Sequence, residues 1–450
     1  MFAVLVPPRK GLRHWSRLRP AQQLVLGFLS YVLIGAVLLS LPIAQTGSAR
    51  FIDHLFIAAS AVSTTGLATV SVADTYTFFG EAVVLALFQL GGIGYMTLSS
   101  LLILARGKAL SPARLGVLKA GFSVPHYFVL PRFLVHVITF TLVVEVIGAL
   151  ILWWRFSALG VEDALWSGVF HSVSAFATAG FGLHNNSLEN YAQDWVVQLT
   201  IGVLCYLGAI GFIVVQDVWY SIKFRERMLT LTSKVILSLT AAVFVLGTIV
   251  MFFSEPTLRG LPWAERLMHS AFQVMSASTT AGFNTIPIGG LGTATLLLIT
   301  LVMLIGASPS GTGGGIKTTS VSALLANMLS VLRGRDSVAW LGHEVPLVRV
   351  LQAFAAVTMY LLLLGGGLFA LTLTQEKALI ALLFEAASAL GTVGLSTGIT
   401  GEMTTTGKLI LIALMFAGRC GPLTLGLALL RPDKPIRPTE ESLRRDDLAT

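Results

Sequence analysis

The chain has 450 residues, 55% of them hydrophobic and only 12% charged, with a net charge of +8. A soluble domain is typically about one-quarter charged, and a soluble fold has no place for this much apolar surface. That excludes an ordinary soluble enzyme or binding module and points to a bilayer as solvent.

Eight segments are long and apolar enough to span a membrane, near 22–44, 80–105, 133–155, 194–216, 233–254, 293–325, 350–373 and 408–430. The first is read as a retained helix, because no convincing small-residue cleavage site follows it. The sixth is interrupted by a Gly/Ser/Thr-rich stretch. Between the members of each pair lies a shorter apolar segment: 53–66, 166–180, 268–282 and 380–394. None of these is long enough to cross, so each is expected to enter and leave on one side. Non-helical backbone at that depth is tolerated only where protein or water surrounds it.

Basic residues fall mostly on alternate connections. Twenty-two Lys and Arg lie in the N-terminal stretch, in 106–132, in 223–234, in 333–349 and in the tail. Six lie opposite: Arg50, Arg155, Arg259, Arg266, Lys377 and Lys408. The positive-inside rule then puts both termini in the cytoplasm. The runs are short and flank spans, so they are read as topological signals rather than a nucleic-acid surface. Cys205 and Cys420 both sit in apolar segments and suggest no disulfide framework.

The four short segments share the pattern F-x-x-x-S-A-x-x-T-x-G. Its copies are Phe56, Ser60, Ala61, Thr64, Gly66; Phe170, Ser174, Ala175, Thr178, Gly180; Phe272, Ser276, Ala277, Thr280, Gly282; and Phe384, Ser388, Ala389, Thr392, Gly394. An even number of spans separates the copies, so the units are parallel and can surround one axis. The expected fold is an all-α polytopic membrane protein: four pseudo-symmetric helix–pore loop–helix repeats around one central pore. The expected organisation is a basic cytoplasmic N-terminus (1–20), repeats at 21–106, 131–222, 233–332 and 349–430, and a polar, flexible cytoplasmic tail at 431–450. The third repeat carries the broken second span.

This pattern suits a cation. Each short helix points its C-terminal end, partially negative, toward the axis. Thr-x-Gly then ends the helix, and Gly supplies unusual φ/ψ angles and close approach. Carbonyl rings of this kind can replace the hydration shell of K+. The expected filter strips are Thr64-Thr65-Gly66-Leu67, Thr178-Ala179-Gly180-Phe181, Thr280-Ala281-Gly282-Phe283 and Thr392-Val393-Gly394-Leu395. They are shortened variants of Thr-Val-Gly-Tyr-Gly. The second Gly survives only as Gly182; Ala68, Asn284 and Ser396 replace it elsewhere. The four Phe are read as packing residues, and the four Ser as bonding within their own helices. Gly91, Gly92, Gly94, Gly208 and Gly211 are read as close-packing positions.

At these residues the chain resembles the Trk/Ktr/HKT superfamily of cation transporters, in its KtrB-like branch. The resemblance runs from the first span to Leu430. A single span precedes Phe56, whereas TrkH-type relatives carry extra ones. The resemblance implies a K+-conducting subunit of a Ktr-type uptake system in a bacterial cell membrane. It implies a homodimer on a cytoplasmic ring of KtrA-like nucleotide-binding subunits, with uptake promoted by Na+ and no organic cofactor. In plant relatives a Ser in place of the first filter Gly accompanies Na+ transport, so Gly66 implies K+ preference.

The interrupted sixth span fits the same family, which places an intramembrane gate there. Its residues include Gly306, Ser308, Pro309, Gly311, Gly313, Gly314, Gly315 and Lys317. That many glycines with a proline break a helix. A phosphate-binding loop is excluded because Ile316 stands where the Gly before Lys is required. Lys317 either joins the gate or snorkels to the surface. Arg419, mid-span in the last helix, must face the pore or a polar partner; the family has a basic residue there acting as barrier or latch. Glu145, His171 and Glu385 lie near spans; support of the filter from behind is open to each, and none is assigned a role. A secondary transporter with broken helices would explain the sixth span but not four parallel Thr-x-Gly strips. A membrane enzyme finds no His-Glu-x-x-His or acid/base cluster.

Overall fold

The computed structural model describes residues 18–94, 130–223 and 229–430. The basic stretch 1–17, the expected end of the second span with the basic residues 106–119, residues 224–228 and the tail lie outside the described residues. Within them the molecule is helical apart from one two-residue antiparallel hairpin, β1 (Ala339–Trp340) with β2 (His343–Glu344).

The architecture is a repeated trio. The first unit is α1 (Pro20–Leu39), the short α2 (Phe51–Val62) and α3 (Phe78–Ile93). The second is α4 (Leu130–Ala158), α5 (Ala164–Phe176), α6 (Trp195–Ala209) and α7 (Phe212–Lys223). The third is α8 (Leu231–Ser254), α9 (Trp263–Thr279), α10 (Thr293–Leu304) and α11 (Thr318–Leu332). The fourth is α12 (Leu347–Thr374), α13 (Leu379–Gly391), α14 (Thr405–Cys420) and α15 (Pro422–Leu429). Among the described residues four helices, α1, α4, α8 and α12, are long and apolar enough to cross a membrane unbroken.

Local chemistry starts the second helix of three units in the same way. Thr77 caps α3 by accepting from the Gly80 amide, Asp194 caps α6 by accepting from Val196 and Val197, and Thr404 caps α14 by accepting from Gly407. In the third unit Gly292 is the cap, and its own amide is held by the Glu255 carboxylate. Such caps satisfy amides that the first helical turn leaves unpaired.

The second helix then breaks, and this was not foreseen outside the sixth span. α6 and α7 meet at 96°, and α14 and α15 at 95°. The hinges are Gly211 (φ 94°) and Gly421 (φ 82°); Gly94 (φ 83°) ends α3 at the matching place. These angles suit glycine alone. Gly94 and Gly211 therefore terminate helices, and Gly211 is also a close-packing position, since a Cβ there would lie 2.5 Å from the Pro309 carbonyl oxygen. Gly91, Gly92 and Gly208 do pack closely, with a Cβ on each meeting Val62, Ala177 and Phe176 respectively.

The short helices are the buried centre. Phe56, Phe170 and Phe384 are fully buried and Phe272 nearly so, in keeping with their reading as packing residues. Outward faces are apolar and exposed, as lipid requires; Val143, Val146 and Leu150 on α4 are examples. Cys205 and Cys420 are buried and unpaired with each other.

A buried ion pair joins two elements of this interior. Lys408 on α14, expected at a solvent-facing connection, is 1% exposed and its Nζ donates to Asp53 on α2 at 2.6 Å. Removing one partner of a buried ion pair costs about 3–5 kcal/mol. Lys408→Met should therefore lower the thermal unfolding midpoint of the detergent-solubilised protein, and the double change with Asp53→Asn should recover part of the loss. An unchanged midpoint in the single variant would contradict this.

Candidate functional site: four strips and an intramembrane loop

Each short helix ends in the same backbone turn. The motif Thr takes a left-handed conformation in all four copies: Thr64 at φ 53°, Thr178 at 50°, Thr280 at 57° and Thr392 at 50°. That conformation is strained for a β-branched residue. Two bonds hold it each time. The Thr amide donates to the motif Ala carbonyl, at 3.0, 3.1, 3.3 and 3.1 Å. The next amide, of Thr65, Ala179, Ala281 or Val393, donates to the motif Ser carbonyl, at 2.8, 2.8, 2.9 and 2.8 Å. The glycines follow at φ 94°, 70°, 80° and 94° for Gly66, Gly180, Gly282 and Gly394.

The strips close a ring. A Cβ added to Gly66 would lie 2.6 Å from the Ala179 carbonyl oxygen, and one on Gly180 would lie 2.7 Å from that of Ala281. One on Gly282 meets the Val393 oxygen, and one on Gly394 meets the Thr65 oxygen, both closer still. The order is first strip to second, third, fourth and back to first. Four carbonyls from one chain thus gather against four glycines. The side chains after the glycines, Leu67, Phe181, Phe283 and Leu395, are buried in the core, which leaves the main chain to face its neighbours.

The motif serines divide. Ser60 and Ser388 accept from the Gly66 and Gly394 amides at 3.1 and 3.0 Å, so they brace the strips instead of only bonding within their helices. Ser174 and Ser276 have hydroxyls that are buried and unpartnered.

Residues 305–317 form a loop directly against the strips. Its neck is closed by Gly306 donating to Ile316 and Ala307 donating to Gly314. Gly315, at φ 71°, packs on Gly306 so tightly that a Cβ on either would overlap the other. Ser308 and Thr312 donate to the carbonyls of Ala209 and Gly208, and the Ser310 carbonyl accepts from Phe212 at 3.3 Å. Gly311 abuts Ala209, and Pro309 turns its carbonyl to Gly211. The loop is thereby fastened to the α6–α7 bend.

Its tip meets all four strip threonines. The Thr312 carbonyl accepts from Thr64 Oγ1 at 3.4 Å, and Thr312 Oγ1 lies 3.1 Å from Thr178 Oγ1. The Gly314 amide donates to Thr280 Oγ1 at 3.2 Å, and the Gly314 Cα faces Thr392 Oγ1. Gly313 packs on Thr280. Lys317 stays inside rather than snorkelling: its Nζ donates to the Gly313 carbonyl at 2.7 Å. Arg419 spans the site. It donates to Thr64 Oγ1 at 3.0 Å, to the Thr312 carbonyl and to the Gly91 carbonyl.

Thr312 is the residue that sequence reasoning missed. It was passed over as one polar position in a glycine run, yet it touches two strips, Arg419 and the α5 end at Phe176. A threonine flanked by glycines in a broken span was the available signal.

Above the strips, Asn284 Nδ2 donates to Glu189 at 2.8 Å and ties the third strip to the connection after the second. Burial raises the Glu189 carboxyl above its ordinary value, and the Asn284 bond opposes that. Among the described residues no cluster of three His, Cys, Asp or Glu could hold a resident metal.

Comparison with known proteins agrees with this geometry. The family model described as TrkH, cation transport protein, matches residues 20–434. The chain is similar to Ktr system potassium uptake protein B of Bacillus subtilis (strain 168), at 35% identity, over 93% of this chain and 95% of that one. It is similar to potassium/sodium uptake protein NtpJ of Enterococcus hirae at 32% identity, over 95% and 97%. In fold it resembles the solved structure of the potassium transporter TrkH from Vibrio parahaemolyticus, with TM-score 0.72 and 19% identity, over 95% and 86% of the two chains. The fold and site define a multi-pass membrane protein of four helix–pore loop–helix repeats. The chain belongs to the TrkH family of cation transport proteins.

Proposed function

We propose that this chain is the K+-conducting subunit of a Ktr-type uptake system. The observation that carries the reading is the closed cycle in which each strip glycine lies against the preceding-residue carbonyl of the next strip. Such a cycle supplies main-chain oxygens in a ring, the arrangement that replaces the hydration shell of K+. The filter residues are Thr64 to Leu67, Thr178 to Phe181, Thr280 to Phe283 and Thr392 to Leu395. The loss of the second glycine in three strips leaves fewer carbonyl sites than a symmetric channel has.

The loop 306–317 is the gate. Its tip caps the strip threonines, and a tip held there blocks passage of a cation. Arg419 latches it and adds positive charge on the ion path. Removing the latch should release the closed state: Arg419→Ala is expected to raise flux about fivefold, a coupling of ordinary size. Unchanged flux would leave Arg419 with a purely structural part.

Support for K+ as cargo comes from Gly66 and from the named substrates of the similar proteins; Na+ enters either as a promoting ion or as a second cargo. The Ktr resemblance supports a homodimer seated on a KtrA-like nucleotide-binding ring, with both termini in the cytoplasm of a bacterial inner membrane. The test is flux in proteoliposomes. The purified chain should pass K+ down its gradient with no coupled substrate, and flux should respond to nucleotide once the ring protein is added. Failure to conduct K+ in either condition would overturn the reading.

A further inference from the structure

Among the variable buried positions of the motif, the residue immediately after the motif Phe changes most in chemistry, from apolar to imidazole, amide and carboxyl: Ile57, His171, Gln273 and Glu385. On the third and fourth short helices that side chain bonds to the main chain three residues beyond the strip glycine. Gln273 Oε1 accepts from the Thr285 amide at 3.2 Å. Glu385 Oε1 accepts from the Thr397 amide at 2.9 Å, from Thr397 Oγ1 at 3.2 Å and from Ser396 Oγ at 2.6 Å; its Oε2 accepts from Thr400 Oγ1 at 2.6 Å. His171 stacks on His184 with ring centroids 4.8 Å apart and leaves no room for a side chain at Gly182. Ile57, fully buried, can make no such bond.

The backbone explains why this position matters. Below each glycine a strip is pinned by two amide bonds to its own helix. Above the glycine that pattern ends, and the outer part is held by the side chain behind it and, on the third strip, also by the connection that Asn284 joins. A carboxylate receiving several short bonds is a stronger brace than a neutral amide or a methyl group. Glu385 is 0% exposed and enters no ion pair among the described residues. Its two oxygens are satisfied by hydroxyl and amide donors alone, all of them on the outer part of the fourth strip.

We propose that Glu385 is a specificity-determining positioning residue: it fixes the outer end of the fourth strip, with Gln273 as a weaker counterpart on the third, His171 packed behind the second and Ile57 making no bond from this position. The pore is then unequal by construction, because the side chain behind each outer end differs from strip to strip. A strip free to move accommodates Na+ by closing in, so bracing it favours the larger K+. The inference rests on the filter reading given above.

The test is the K+/Na+ permeability ratio from bi-ionic reversal potentials of the reconstituted full-length chain. Glu385→Gln keeps the shape but turns one acceptor into a donor facing hydroxyls and an amide. Thr400→Val and Ser396→Ala each remove one donor and leave the carboxylate in place. Glu385→Gln should lower the ratio at least about fivefold, with each donor variant lowering it less and with no further loss when they are combined with Glu385→Gln. A merely structural role would lower the thermal midpoint without moving the ratio. Gly394→Ser is measured in parallel. If it shifts the ratio while folded Glu385→Gln, Thr400→Val and Ser396→Ala do not, the inference is overturned and the filter stands. If none shifts the ratio, the filter reading itself falls. Should Glu385→Gln fail to fold, Thr400→Val and Ser396→Ala decide the matter.

Discussion

Removing residues 310–313 should raise K+ flux into proteoliposomes at least about tenfold, because the loop's hold on the strips amounts to a few hydrogen bonds of about 1 kcal/mol each. The deletion joins Pro309 to Gly314. It takes away the Thr312 carbonyl and hydroxyl, which reach Thr64, Thr178 and Phe176. It also takes away the Ser310 contacts with Phe212 and Ile213 that fasten the loop to the α6–α7 bend. The neck pairing of Gly306 with Ile316 and of Ala307 with Gly314 stays, so the span keeps its continuity. The same variant should lose its response to a cytoplasmic nucleotide-binding ring, since the element the ring would move is gone. Reduced or unchanged flux in a protein that purifies as folded would remove the gate assignment.

The second large effect is expected at the glycines. Gly66 and Gly394 both sit at φ 94°, and a Cβ on either would strike the neighbouring strip's carbonyl. Gly66→Ser must displace the Ala179 carbonyl or its own strip, and it adds a hydroxyl where the ring needs main-chain oxygen. The K+/Na+ permeability ratio should fall about tenfold, equivalent to about 1.4 kcal/mol of lost discrimination. Gly94 serves as control. It too has a positive φ, but it ends α3 outside the ring of strips, so Gly94→Ala should alter folding yield and not the ratio. An unchanged ratio in conducting Gly66→Ser would count against the filter.

Much of this was legible in the residues. Four in-register copies of Phe, Ser, Ala, Thr and Gly identified the turns, because a left-handed Thr followed by a positive-φ Gly needs the same small, polar chemistry each time. The glycine run at 306–315 announced a break, because no helix tolerates it. Arg419 announced a polar partner, because a mid-span guanidinium cannot be left to lipid.

Other features were illegible for physical reasons. Gly211 sits in an apolar run where glycine is equally at home as a packing residue, so its right-angle bend has no distinct signature, whereas Gly421 before Pro422 carried a breaker signal inside an otherwise span-like run. Lys408 looked like a connection residue because its partner, Asp53, lies 355 positions away and nothing local marks the pair. The roles of Ser60 and Ser388 depend on an amide six residues on being turned back, a detail that Ser174 and Ser276 do not share despite the identical motif. Thr312 was hidden because its importance comes from four elements that meet only in the folded chain.

In the proposed filter the Thr65, Ala179, Ala281 and Val393 carbonyls enclose a dehydrated cation. The direct measurement is the anomalous signal of Rb+ bound to the purified protein in place of K+. The account predicts a peak on the axis of the four strips, within reach of those four oxygens, and its loss in Gly394→Ser. A peak confined to some other cavity, or an axis left empty at saturating Rb+, would contradict it.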